Sequence, residues 1–271
     1  METLPQRPAA PIPEIGGEAP DDPNFMTSLA RGLQVIRAFT EQQPRLTIAE
    51  VARLAGLSRA AARRCLLTLE KLGYAGSDGR SFHLTPKILA LGYAFLSSTS
   101  LPGAIQPFLE RVSEQLQESC SAGVLDDGEV VYIARAATRR IMSVGLSVGS
   151  RLPAFWTSMG RVLLAHLPPA EQRRRLEALR PRAFTERTVT DKAQLARLLE
   201  QVRQRGYCIV EQELEIGLRS VAVPVTNAAG QVVAAMNCGL QAQRVSRREL
   251  ESRILPVLQA TAQDLRVLLG H

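Results

Sequence analysis

The feature that most constrains the fold is a pair of short helical segments joined by the tight turn Ala55-Gly56-Leu57-Ser58. The first segment begins at Thr47, and Glu50 follows three residues later, which is the spacing of a capping box. Gly56 ends this segment because glycine readily adopts the positive φ of a tight turn. Ser58 is suited to cap the second segment. This layout predicts a helix-turn-helix, a motif that binds DNA.

The second helix, predicted to start near Arg59, separates apolar from basic residues. At 3.6 residues per turn its packing face consists of Ala62, Cys65, Leu66, Leu69 and Leu72, and its outward face of Arg59, Ala60, Arg63, Arg64 and Lys71. The N-terminal half of such a helix reaches bases in the major groove, where arginine binds guanine or phosphate. An ordinary helical hairpin with a solvated arginine face is the alternative interpretation.

A turn centred on Asp78-Gly79, followed by a short strand at 82–84, predicts the wing of a winged helix-turn-helix. Together these segments predict contacts with double-stranded operator DNA. The residues predicted to make them are Thr47, Ser58, Arg59, Ala60, Arg63, Arg64, Lys71 and Arg80.

The overall charge favours the same class of partner. A net charge of +7 and a pI of about 9.7 suit a protein that meets polyphosphate. No segment approaches the roughly 18 uninterrupted apolar residues of a membrane span, and the start of the chain does not resemble a signal peptide. The sequence therefore predicts a cytoplasmic protein without a membrane partner.

Cysteine and histidine usage gives no indication of a metal site or a cofactor. The four cysteines, Cys65, Cys120, Cys208 and Cys238, lie far apart, and the three histidines are scattered. The cysteines are interpreted as buried thiols. Neither a metal nor a cofactor is predicted.

Composition divides the chain into four parts. Residues 1–24 contain six prolines and are predicted to be a disordered tail. Residues 25–85 form the predicted winged helix-turn-helix domain, whose first helix is expected to pack through Leu29, Leu33, Ile36 and Phe39. Residues 86–100 form a linker helix that is apolar nearly all round, so a second copy of the chain is its expected partner. Residues 101–271 form the remaining domain.

In the C-terminal part, helical and alternating patterns predict an α+β domain, with an antiparallel sheet covered by helices and a cavity. The predicted helices span 104–119, 158–167, 170–179, 193–205 (ending at Gly206) and 246–269. The predicted strands span 122–125, 130–134, 141–148, 207–210, 219–225 and 232–238.

Five sequence motifs resemble those of the IclR family of transcriptional regulators. They are MTSLARGL at 26–33, LEKLGY at 69–74, GSRLPA at 149–154, TSMGR at 157–161 and QELEIGLRS at 212–220. With the helix-turn-helix, the resemblance spans residues 25–271, and it is greatest to the subgroup that governs the β-ketoadipate pathway. The chain departs from the family pattern in Ser58, where proline is frequent, and in Ala60, Ala61 and Ala62, where serine or threonine is common.

The resemblance implies a GAF-like C-terminal domain that binds a small organic acid. β-Ketoadipate is the acid that the subgroup favours, with protocatechuate and 4-hydroxybenzoate as alternatives. It also implies a homodimer, with a tetramer left open, and contact with RNA polymerase if the protein is an activator. The effector-binding residues carried over are Leu152, Trp156, Thr157, Ser158, Met159, Gly160, Glu213, Ser220, Asn237 and Cys238.

Some of these residues have alternative interpretations. For Trp156 and Met159, simple core packing is the favoured interpretation, because large apolar residues are usually buried for stability alone. Glu213 or Glu215 is expected to face away from an anionic effector or to pair with an arginine. Arg151 or Arg219 is a candidate source of positive charge. An enzyme with Cys120 or Cys238 as nucleophile, and a module that never touches DNA, are the competing classes; an enzyme is not predicted.

Overall fold

The computed structural model describes residues 24–40, 42–91, 100–138 and 146–269. These residues form two compact units, one within 24–91 and the other within 100–269. Within the described ranges no helix is long and apolar enough to cross a bilayer. Residues 1–23 of the predicted tail and most of the predicted linker helix lie outside these ranges. Only the three-residue 3-10 helix Pro86–Ile88 and the helical residues 89–91 of the linker are described.

The N-terminal unit is a winged helix-turn-helix. It consists of α1 (Thr27–Arg37), α2 (Ile48–Leu54), α3 (Arg59–Lys71) and the antiparallel strands β1 (Ala75–Ser77) and β2 (Phe82–Leu84). The predicted caps are confirmed. Thr47 Oγ1 accepts from the Glu50 backbone N–H while Glu50 Oε2 accepts from the Thr47 backbone N–H at 2.8 Å, and Ser58 Oγ accepts from the Ala61 N–H. Gly56 has φ of +63° in the turn, as glycine allows.

The predicted packing face of α1 is partly wrong. Leu29 and Leu33 are at least half exposed, whereas Val35 is completely buried against α3. Leu72, predicted to pack from α3, is also 53% exposed. Apolar residues lie on more than one side of α1, and periodicity alone does not tell which side meets the core.

The C-terminal unit is built on one antiparallel sheet in the order β5-β4-β3-β8-β7-β6. Its strands are β3 (Ser119–Asp126), β4 (Glu129–Ala136), β5 (Arg151–Pro153), β6 (Cys208–Glu211), β7 (Leu218–Thr226) and β8 (Val232–Gln241). Its helices are α4 (Ser100–Leu116), α5 (Ser158–Ala165), α6 (Pro169–Ala178), α7 (Lys192–Arg205), α8 (Arg247–Glu249) and α9 (Leu255–Leu268), with a π turn at Leu250–Ile254 before α9.

Each face of the sheet carries its own core. One face packs on α4 and α9 through residues such as Leu109 and Leu258. The other face packs on α5 and α7 through residues such as Met159 and Leu199. The predicted α+β architecture is confirmed, and Gly206 caps α7 in the left-handed conformation.

The largest differences from the predicted boundaries are in two elements. The helix predicted over 104–119 ends at Leu116, because Gln117 takes a positive φ, and Ser119 instead begins β3. That helix also starts at Ser100, within the range assigned to the linker. Of the strand predicted over 141–148, residues 141–145 lie outside the described ranges, and 146–148 are not a strand.

Candidate DNA-binding surface and effector cavity

The N-terminal half of α3 presents an exposed basic surface. Ser58, Arg59, Ala60, Arg63 and Arg64 are all exposed, and their neighbours Ala62 and Leu66 are buried beneath them. Among the described residues, no salt bridge involves Arg59, Arg63 or Arg64. Their charges are therefore not offset by a bound carboxylate and remain available to phosphate.

The other predicted DNA-binding residues lie around this surface. Thr47 is half-buried, with its hydroxyl engaged in the capping box of α2. Lys71 is exposed at the opposite end of α3, and Arg80 is exposed in the wing turn. Sequence reasoning missed Arg45, which pairs with Asp78 of the wing turn at 3.0 Å.

Asp78 organises the wing turn. Its carboxylate accepts hydrogen bonds from the backbone N–H of Ser81 at 2.7 Å and of Arg80 at 3.0 Å. The hydrogen bonds that Ser81 donates, and to a lesser extent the one from Arg80, hold the pKa of Asp78 well below its usual range. The wing turn is thus held by a carboxylate that is ionised at neutral pH, and Arg80 is exposed beside it.

The sheet register of the C-terminal unit aligns polar residues on one face. Arg135 of β4 is opposite Ser121 of β3, which is opposite Asn237 of β8. In the adjacent row, Ser119 of β3 is opposite Gly239 of β8, which is opposite Ser220 of β7. Because directly paired residues share a face of a sheet, these polar side chains form one strip.

A β-bulge places Arg135 on this face. Simple alternation would put Tyr132 and Arg135 on opposite faces, because they are three residues apart. The register between β3 and β4 shifts at Ala122/Gly123, so Ala122 pairs with Ala134 while Gly123 pairs with Tyr132. Ile133 is therefore the extra residue of the bulge, and Tyr132 and Arg135 both face the strip. Bulges commonly redirect side chains in this way.

The strip is the floor of a cavity that encloses about 50 Å³. A bound water needs about 10–15 Å³ of such space, so the cavity is large enough for several waters. Its walls come from the loop before α5, from α5 and from the segment between β6 and β7. The lining residues are Ser119, Ser121, Tyr132, Arg135, Leu146, Leu152, Trp156, Thr157, Ser158, Val210, Glu213, Leu214, Leu218, Ser220, Asn237 and Gly239.

Arg135 is the cation of this cavity. Its Nη1 donates to Ser121 Oγ at 3.0 Å, and among the described residues it has no carboxylate partner. Burial lowers its pKa, and the neighbouring Tyr132 partly offsets this effect. An arginine still keeps its proton at neutral pH, so the cavity presents an uncompensated positive charge.

Two buried polar atoms in the cavity have no partner among the described residues. The Oγ of Ser158 and the Oδ1 of Asn237 are inaccessible to solvent and make no hydrogen bond there. Ser158 lies at the first position of α5, immediately after the cap residue Thr157. An unpaired buried polar group costs about 1–3 kcal/mol, so these atoms favour a ligand that pairs with them.

Glu213, predicted to contact the effector, is neutralised by a buried arginine. Arg161 on α5 donates from Nη1 and Nη2 to the two carboxylate oxygens of Glu213, both at 2.7 Å, and both side chains are buried. The Val189 backbone N–H also donates to Glu213 at 3.1 Å, and Trp156 Nε1 donates to the Val189 carbonyl. This arrangement fits the expectation that one of the two glutamates pairs with an arginine.

Seven of the ten predicted effector residues line the cavity, and three do not. The three are Met159, Gly160 and Cys238. Met159 is fully buried in the core between the sheet and α5. Cys238 follows Asn237 in β8, so strand alternation turns it to the opposite face, 3.6 Å from the thiol of Cys120. Assigning both Asn237 and Cys238 to the cavity was therefore wrong.

Gly160 is required by packing. A Cβ at this position would lie 2.1 Å from the backbone O of Ala154 and 2.3 Å from its Cα. The preceding 3-10 turn, Ala154–Trp156, thus packs directly on the backbone of α5. That contact holds Trp156 and Ser158 at the cavity.

We expect Gly160→Ala to lower the free energy of unfolding by about 1–3 kcal/mol, the usual range for overpacking. The matched control is Gly32→Ala in α1, where an added Cβ meets nothing within 4 Å. Chemical denaturation of both variants measures the difference. Equal stability of Gly160→Ala and wild type would show that the turn does not pack on α5 as described.

Neither candidate arginine from the sequence supplies the cavity charge. Arg151 pairs with Asp126 at 2.8 Å and with Glu129 at 2.7 Å. Arg219 pairs with Glu211 and donates to the Val245 carbonyl, on the far side of β7. Arg135 supplies this charge instead. Regular pairing of the predicted hairpin, without the bulge, would have placed Ala134 rather than Arg135 opposite Ser121.

The buried thiols are poorly suited to nucleophilic chemistry. The hydrogen bond with Cys120 and burial raise the pKa of Cys238 well above its usual range. Within the described residues no group of three or more His, Cys, Asp or Glu side chains is placed to hold a metal ion. The cavity instead has the chemistry of a binding site for an organic anion.

Comparisons with known families agree with this description. The model described as "Bacterial transcriptional regulator IclR C-terminal" matches residues 93–267, and the model described as "IclR helix-turn-helix domain" matches residues 28–79. The chain is 53% identical over 245 residues to the Pca regulon regulatory protein of Pseudomonas putida, and the match covers 90% of this chain and 84% of that protein.

Two solved structures are also similar. A putative transcriptional regulator from Rhodococcus sp. RHA1 has 48% identity and a TM-score of 0.82, with 90% of this chain and 98% of that chain covered. A double mutant of the PobR inducer-binding domain from Acinetobacter, solved with 3-hydroxybenzoic acid, has 38% identity and a TM-score of 0.59. That match covers 62% of this chain and 98% of the PobR domain.

Proposed function

The chain belongs to the IclR family of transcriptional regulators, and from this premise we propose that it controls aromatic-acid catabolism through the β-ketoadipate pathway in response to a small organic acid. Its helix-turn-helix binds DNA, and its C-terminal domain binds the effector. The similarity to the Pca regulon regulatory protein supports the pathway. The observation that carries the effector site is that Arg135, which has no carboxylate partner among the described residues, lines the same cavity as two polar atoms without a partner in that part of the chain.

The cavity suits an acid with two polar ends. A carboxylate would bind the Arg135 guanidinium together with the Ser121 hydroxyl, where charge-assisted hydrogen bonds are strongest. A second polar group on the ligand would accept from the Ser158 hydroxyl, and a ligand hydroxyl would in addition donate to Asn237 Oδ1. The apolar walls, including Leu152, Tyr132 and Trp156, would enclose the carbon skeleton between them.

β-Ketoadipate fits this pattern, because it carries two carboxylates and a ketone. A hydroxybenzoate or protocatechuate is the second candidate, since its hydroxyl group would take the position of the second polar end. The similarity to a PobR domain that holds 3-hydroxybenzoic acid supports this alternative. Trp156 and Tyr132 provide aromatic surface for such a ring.

The same function includes a homodimer in the cytoplasm, with a tetramer left open. A helix-turn-helix dimer reads two half-sites of an operator, which doubles its contacts with DNA. The linker helix predicted to join the copies lies largely outside the described residues. Contact with RNA polymerase belongs to this proposal if the protein activates transcription. No catalytic step is proposed.

The DNA-binding part is tested by charge removal on α3. We expect Arg63→Ala and Arg64→Ala each to weaken binding to a short duplex, and to reduce the slope of log K against log salt by about 0.9 for each phosphate that the variant no longer neutralises. Fluorescence anisotropy across a salt series measures both quantities. The matched control is Arg248→Ala, an exposed arginine of the other unit. Unchanged affinity and slope in both α3 variants would remove α3 from the interface.

A further inference from the structure

A second cavity opens between α7, β6 and α8 of the C-terminal unit. It encloses about 240 Å³, more than the effector cavity. Its lining residues are Arg161, Leu198, Gln201, Val202, Arg205, Tyr207, Cys208, Ile209 and Arg247. Three of these nine side chains are arginines and none is a carboxylate. Arg161 is already neutralised by Glu213, so Arg205 and Arg247 are the arginines that make this wall positive.

The donor groups of Arg205 and Arg247 are available to a ligand, whereas Arg161 already donates to Glu213 and to the Phe155 carbonyl. Arg205 ends α7 and has no salt bridge among the described residues. Arg247 pairs through Nε with Glu251 at 3.0 Å, an exposed contact of low energy. Burial raises the pKa of the Cys208 thiol to about 12, so it adds no negative charge to the wall.

The charge and donors define the ligand class. Arg205 and Arg247 each present a planar guanidinium, a geometry that binds the paired oxygens of a carboxylate or phosphate. Gln201 and Tyr207 add an amide and a hydroxyl donor between them. We propose that this cavity is a binding site for a small dianion bearing phosphate or carboxylate oxygens, and that it is coupled to the effector cavity.

The coupling runs through one ion pair. Arg161 lines the second cavity, whereas its bidentate partner Glu213 lines the effector cavity. A dianion beside Arg161 competes with Glu213 for the guanidinium, and this changes the charge that Glu213 presents to an acid effector. By linkage, the effector changes the affinity for the dianion by the same factor. The coupling between the two cavities rests on the proposed effector function, whereas binding of the dianion does not.

Binding is tested on the full chain by calorimetric titration with inorganic phosphate and, separately, with succinate at constant ionic strength. We expect at least one of them to bind with a dissociation constant of about 1 mM or tighter. Arg205→Gln is expected to raise that constant about tenfold or more, because a charged hydrogen-bond donor is removed. The control is Arg197→Gln, an exposed arginine on the same helix that does not line the cavity.

Preference for phosphate identifies a phosphorylated ligand, and preference for succinate identifies a dicarboxylate. The site is overturned if neither anion binds, or if Arg205→Gln binds as wild type does. The site is also overturned if Arg197→Gln loses as much affinity for the anion as Arg205→Gln does, because that result indicates non-specific attraction to the positive surface. Coupling is measured as the change in effector affinity at saturating dianion, where a factor of about five or more is expected. An unchanged affinity overturns the coupling while leaving the site intact.

Discussion

Replacing Glu213 by Gln is expected to lower the free energy of unfolding by about 3–5 kcal/mol, the usual cost of leaving one member of a buried ion pair without its partner. Arg161 is 3% exposed in its side chain, and both its terminal nitrogens bond the Glu213 carboxylate. Glutamine fills the same volume but leaves the guanidinium charge uncompensated. Urea denaturation of the full chain measures the loss.

Two further variants test the cause of that loss. Glu171→Gln removes a partly exposed pair with Arg175 within α6, and is expected to change stability by less than about 1 kcal/mol. The double variant Arg161→Met, Glu213→Leu removes both charges and is expected to recover much of the stability. If Glu213→Gln is as stable as Glu171→Gln, the buried pair does not hold α5 against the segment at 212–217.

Arg135→Gln is expected to weaken effector binding about 30-fold or more, because removing one partner of a buried charged hydrogen bond costs about 2–5 kcal/mol. The glutamine keeps a hydrogen-bond donor near Ser121. It removes the positive charge of Arg135, which is the only cation among the described residues that line the cavity. Calorimetry with the acid that binds the wild type measures the change, and a thermal melt checks that the variant folds.

Arg151→Gln is the matched control, because the Arg151 charge is already taken by Asp126 and Glu129. Its effector affinity is expected to stay within about twofold of wild type, because Arg151 does not line the cavity. Equal losses in Arg135→Gln and Arg151→Gln would point to a general charge effect. Unchanged binding in Arg135→Gln would remove Arg135 as the carboxylate partner.

The N-terminal unit follows closely from its sequence because its signals are local. Thr47, Glu50, Gly56 and Ser58 act on neighbours within four residues, so capping and turn rules place α2 and α3 correctly. The packing face of α1 depends on tertiary contacts instead. Those contacts bury Val35 and leave Leu29 exposed, which no local rule specifies.

Only part of the effector cavity could be predicted, because some of its residues are positioned by tertiary contacts and not by local sequence signals. The residues at 152–158 and 213–220 lie in the motifs that carry the family resemblance, and most of the effector residues predicted there line the cavity. Arg135 depends on a bulge between β3 and β4, and the Arg161–Glu213 pair joins residues 52 positions apart. Neither a bulge nor a long-range pair leaves a periodic pattern in one sequence.

The central claim is that the cavity beside Arg135 is the site where an organic acid acts on this regulator. Calorimetric titration of the full chain with β-ketoadipate, protocatechuate and 4-hydroxybenzoate tests it most directly, with Arg135→Gln and Arg151→Gln run alongside. We expect one of these acids to bind the wild type and the Arg151 variant alike, and to lose most of its affinity in Arg135→Gln. Failure of all three acids to bind the wild type, or binding that Arg135→Gln leaves intact, would contradict it.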